Sequence, residues 1–61
     1  MKEVKIELFN DGKKWDGKLF IDNKYIKSLQ GTDKNYIINE LAEEGSILSE
    51  NYDYKYTVKW L

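Results

Sequence analysis

The chain contains no cysteine and no histidine, and that absence governs how it can hold a fold. At 61 residues it has room for one domain spanning 1–61. A domain of this size buries only about 60% of the surface its unfolded chain exposes. Short folds usually compensate with disulfides, a structural metal or association. Disulfides are excluded here, and carboxylates alone make a poor zinc site. What remains is dense apolar packing, for which two Trp, five Tyr and two Phe supply material, and self-association, most simply as a homodimer.

The hydrophobic periodicity says what kind of packing. From Glu3 to Phe9, Val4, Ile6 and Leu8 alternate with Glu3, Lys5, Glu7 and Phe9, the period of a half-buried strand. Asp11-Gly12 follows, a dipeptide favoured in two-residue type I′ hairpin turns. With those two residues as the loop, Leu8 faces Trp15, Ile6 faces Gly17 and Val4 faces Leu19, so the apolar residues share one face. Gly17 opposite Ile6 suggests a kink or bulge. Asp22-Asn23 is a weaker turn signal, which sets Leu19 against Ile26 and Phe20 against Tyr25. The first 29 residues therefore read as a three-stranded meander.

Gly31-Thr32-Asp33 closes the meander and offers Thr32 or Asp33 as a helix N-cap. Lys34 to Glu44 shifts to a helical period, with Ile37, Ile38, Leu41 and Ala42 on one stripe, and Gly45 fits the residue that ends a helix. A helix of about three turns cannot persist alone and must pack on the sheet. Residues 46–49 read either as an extra short strand or as an extended connection, with Glu50-Asn51 as a turn. The last run alternates again, with Tyr52, Tyr54, Tyr56, Val58 and Trp60 on one face and Lys55, Thr57 and Lys59 on the other. The expected fold is α+β: a three-stranded antiparallel β-meander, one helix packed on one face, and a C-terminal strand completing a mixed sheet, in the order βββαβ. That strand is expected to run parallel to the first or third. The expected core is Val4, Ile6, Leu8, Trp15, Leu19, Ile21, Ile26, Ile37, Leu41, Tyr54, Tyr56, Val58 and Trp60.

The side chains that usually carry chemistry are missing. Histidine is the common acid/base and metal ligand near neutral pH, and cysteine the thiolate nucleophile. Arginine, the bidentate fork for phosphates and carboxylates, is absent too, since all ten basic residues are lysines. Asp11 and Asp22 are accounted for by turns, and Gly12, Gly17, Gly31 and Gly45 compose no phosphate loop. Neither an enzyme nor a metal or cofactor is expected. No apolar run approaches the roughly 7–15 residues of a signal sequence core or the roughly 20 of a membrane span, so a soluble cytoplasmic protein is expected.

Three surfaces remain as candidate sites. On the outer face of the meander, Phe9, Phe20 and Tyr25 accompany Lys5, Lys14, Lys18 and Lys27. Aromatics interleaved with lysines on an open sheet can stack single-stranded bases, but Glu3, Glu7 and Asp16 dilute the positive field. The favoured reading of these rings is a homodimer interface. The net charge of −1 hides an asymmetry: Glu40, Glu43, Glu44, Glu50 and Asp53 all fall in residues 35–54, which contain no lysine. That acidic patch could meet a basic surface on a partner protein. The tyrosines Tyr52, Tyr54 and Tyr56, with Trp60, most simply complete the core. The expected function is a non-enzymatic protein-binding module, a small inhibitor or adaptor of the kind encoded by phages and mobile elements, working as a homodimer. The alternative is a single-stranded nucleic-acid binder using the aromatic and lysine face.

Overall fold

In the computed structural model, which describes residues 3–49 and 56–61, four strands and one helix follow the order β1 (Val4–Asn10), β2 (Trp15–Ile21), β3 (Lys24–Gly31), α1 (Lys34–Ser49) and β4 (Tyr56–Trp60). The sheet order is β3-β2-β1-β4. The three meander strands are antiparallel, and β4 pairs parallel to β1 with Val4 opposite Tyr56, Ile6 opposite Val58 and Leu8 opposite Trp60. This is the α+β mixed sheet expected from the pattern, with the last strand beside the first. The expected turn at Glu50-Asn51, together with Tyr52 and Tyr54, lies outside the described residues.

The first hairpin closes two residues later than Asp11-Gly12 implies. Asn10 pairs with Trp15, Leu8 with Gly17 and Ile6 with Leu19, leaving a four-residue loop. Side-chain hydrogen bonds explain it. Asp11 Oδ1 accepts from the N–H of Lys13 and of Lys14, both at 2.9 Å, and Asn10 Oδ1 accepts from Gly12 N–H at 2.7 Å. Such Asx turns compete with the two-residue turn, and Gly12 takes the positive φ of 95° that the loop requires. The slip is an even number of residues, so the apolar face stays inward.

The weaker signal proves to be the tight turn. Asp22 and Asn23 both adopt positive φ, 51° and 67°, the conformation of a type I′ turn, and Phe20 faces Tyr25 as expected. A bulge then intervenes between Leu19 and Phe20, so that Leu19 faces Lys27 rather than Ile26. One inserted residue exchanges the faces of everything beyond it. Lys27 and Leu29 therefore turn to the helix side, Leu29 packing at the core margin, while Ile26, the unpaired residue, is exposed rather than in the core.

Asp33 is the N-cap: its Oδ1 accepts from the N–H of Asn35 at 3.0 Å and of Tyr36 at 3.3 Å. The helix does not end at Gly45 but runs sixteen residues to Ser49, so residues 46–49 form neither a strand nor an extended connection. Gly45 is buried, and a Cβ there would stand 2.7 Å from Val4 Cγ1 and 3.2 Å from Leu19 Cδ1. Its role is close approach of helix to sheet. Gly17 does the same from the strand side, where a Cβ would fall 2.5 Å from Ile37 Cγ2; it opposes Leu8 and marks no bulge.

The core cluster consists of Val4, Ile6, Leu8, Leu19, Ile37, Leu41 and Ala42, with Trp15, Leu29, Ile38 and Val58 packed at its margin, and Ile21 is buried as expected. The helix lies chiefly over β2, flanked by β1 and β3. Beyond its reach, Tyr56 and Trp60 on β4 point to the helix side yet remain exposed, Trp60 by 55%, so neither is a core residue. Trp15 is half-buried for a related reason, as the first residue of β2, at the sheet end beside the helix start.

Candidate functional site

The helix presents the most coherent surface. Tyr36, Glu40, Glu43 and Ile47 are all exposed and spaced four, three and four residues apart, which puts them on one outward stripe. Tyr36 and Ile47 are 57% and 58% exposed, and the two glutamates lie between them. Glu44 and Leu48 flank the stripe on the side of β3. There Glu44 Oε2 meets Lys27 Nζ at 3.9 Å in a solvent-exposed ion pair, an interaction worth about 0–1 kcal/mol. Leu48, with Ile21, Asp22, Lys24 and Ile26, lines an open groove of about 490 Å³ at the β2–β3 turn. Of the acidic patch, Glu40, Glu43 and Glu44 thus share the outward side of the helix with exposed apolar side chains; Glu50 and Asp53 lie outside the described residues. The helical period makes Glu40 and Glu43 readable, but Gly45 reads as a helix stop and so hides the exposed Ile47 and Leu48.

The outer face of the sheet is less concentrated than the pattern implied. Phe20 and Tyr25 make an edge-to-face pair at 5.9 Å, and Lys5 Nζ sits 5.1 Å from the Phe20 ring centre. Lys5 also pairs with Glu7 at 3.5 Å. Phe9 stands apart: it opposes Asp16, and the row of Glu7 and Lys18 separates it from the row of Lys5 and Phe20. Four residues of strand amount to about 13 Å. Lys14 Nζ hydrogen-bonds Gln30 Oε1 at 3.0 Å. Lys27 does not belong to this face, because the bulge turns it to the helix side, where it meets Glu44. Asp16 Oδ1 is buried here with no hydrogen-bond partner.

A third cluster joins distant segments. Trp15 and Trp60 meet edge-to-face at 6.0 Å, and Lys34 Nζ at the helix start lies 5.7 Å and 5.4 Å from their ring centres. Parallel pairing of β4 on β1 creates it, and no local pattern announces that pairing.

Among the described residues, no group of three or more acidic side chains is placed to hold a metal ion, and no helix is long and apolar enough to cross a membrane. Asp11 is the titratable group with a clear perturbation: backbone N–H groups of Lys14 and Lys13 hold its carboxyl below the usual carboxylate range. No family model, no curated protein and no solved structure matches this chain.

Proposed function

We propose that this chain is a non-enzymatic protein-binding module, an inhibitor or adaptor that acts as a homodimer and meets its partner through the outward face of α1. The carrying observation is the stripe Tyr36–Glu40–Glu43–Ile47, two exposed apolar side chains bracketing two carboxylates. Exposed apolar groups at helical spacing are the anchors by which a helix face docks into a groove, and the glutamates select a groove with a basic rim. Four side chains on one rigid element cost less ordering on binding than the same groups on a loop.

The test is affinity capture from the cell that encodes the chain, comparing wild type with Tyr36→Ala/Ile47→Ala and with Glu40→Lys/Glu43→Lys. All four positions are exposed, so the variants should fold. A protein retained by wild type and lost by both variants supports the reading, and an unchanged capture set contradicts it. The second reading, a single-stranded nucleic-acid binder, rests on the Lys5–Phe20–Tyr25 cluster. It requires oligonucleotide affinity that falls steeply with salt and is lost in Phe20→Ala.

A further inference from the structure

Among the described residues the sheet has two open edges, β3 and β4, and they are not alike. β3 interrupts its pairing with a bulge and carries Lys24 and Lys27. Bulges and lysines are devices that stop an edge from pairing with a second chain. β4 pairs with β1 without a register shift, carries Lys59 as its one charged residue, and keeps Tyr56 and Trp60 half exposed.

The backbone direction of β4 is set by one bond. Leu61 N–H donates to Leu8 O at 2.8 Å. Strand alternation then aims the backbone groups of residues 57 and 59 at β1 and those of 56, 58 and 60 outward.

We propose that β4 is the dimerisation edge, pairing antiparallel with β4 of a second copy about a two-fold axis at Val58. This rests on the dimeric reading above and names its surface. In this register Val58 opposes Val58 of the second copy, and Tyr56 opposes its Trp60. These are the residues whose backbone groups point outward, and each such pair exchanges two hydrogen bonds. Tyr56 and Trp60 form cross-strand aromatic pairs on the helix side, while Thr57 meets Lys59 on the outer face. Sliding two residues one way sets Lys59 against Lys59, and like charges directly opposite are destabilising. Sliding the other way confines the pairing of β4 to residues 56–58. The two helices come to lie on the same side of the joined sheet. The strip that α1 leaves uncovered becomes a floor between them, filled by Tyr56 and Trp60 of both copies.

The chain has no cysteine, so a single introduced one reports on the interface directly. Hydrogen-bonded antiparallel pairs hold their Cα atoms about 5.5 Å apart, within disulfide range. Val58→Cys should link into dimers under mild oxidation, and Gln30→Cys on the β3 edge should not. Thr57→Glu should tighten the dimer and Thr57→Lys weaken it, each by roughly three- to ten-fold in Kd. These shifts are read beside Tm, because Lys5 of the same chain also neighbours Thr57. Val58→Pro removes an outward N–H without touching the ladder to β1 and should give a folded monomer. A dimer indifferent to the Thr57 variants and unlinked by Val58→Cys would overturn this interface while leaving the dimeric reading intact. A wild-type monomer up to millimolar concentration would overturn both.

Discussion

Asp11 and Asp22 both occupy hairpin connections, yet they work through different groups. Asp11 acts through its carboxylate, which collects two backbone N–H groups. Asp22 acts through its left-handed backbone, and its ends also bind Glu3: Asp22 N–H donates to Glu3 O, and Asp22 Oδ1 accepts from Glu3 N–H, both at 2.8 Å. The lowered pKa of Asp11 fixes the sign of its pH dependence. Its stabilising effect is fully present above the ordinary carboxylate value of about 3.9 and is lost as pH falls through the lower folded value. A carbon-detected titration should place the Asp11 midpoint below that ordinary value. Asp16 differs in its hydrogen bonding: its buried Oδ1 has no partner. Asp16→Thr replaces an unsatisfied acceptor with a strand-favouring side chain and should raise stability by about 0.5–1 kcal/mol in urea unfolding. That Asp11, Asp22 and Asp33 belong to turns and a cap was legible from composition. The atoms they bind were not, because Asx geometry depends on which competing turn closes the strands.

At the scale of elements, Gly45 separates local preference from packing. Helix propensity alone says that Gly45→Ala gains about 1 kcal/mol. The added Cβ would press on Val4 Cγ1 at 2.7 Å, and overpacking of this kind costs about 1–3 kcal/mol. Val4 is β-branched and held in a strand, so it yields little, and the net effect of Gly45→Ala should be a lower denaturant midpoint. The same residue shows why the helix was underestimated. A glycine after a periodic run is usually a stop, and only the sheet beneath reveals it as a contact. Strand alternation, by contrast, located β1, β2 and β4 well. The bulge at Ile26 has no local signal, and it moves Lys27 from its expected face. The exposed helix stripe is half legible: its glutamates stand out as a charge run and Tyr36 lies within the expected helix, but Ile47 joins it only because the helix runs on to Ser49.

At the scale of the molecule, a four-stranded sheet is asked to shelter under a single helix. The helix covers β1, β2 and β3 and leaves Tyr56 and Trp60 of β4 exposed, while Val58 packs at the core margin. In the proposed dimer a second copy covers Tyr56 and Trp60, which the helix of the same chain leaves exposed. The α+β class and strand count followed from periodicity, because each is a local property. The parallel pairing of β4 on β1, which creates both the Trp15–Trp60 contact and the open edge, joins segments some fifty residues apart and leaves no local trace. The most direct measurement is the solution mass by light scattering over a dilution series at two salt concentrations. A dimer of twice 7.3 kDa whose dissociation constant barely changes with salt is the predicted result, since hydrogen bonds and aromatic rings, not ion pairs, join the copies. A monomer at every concentration, or a dimer that dissolves as salt rises, would contradict it.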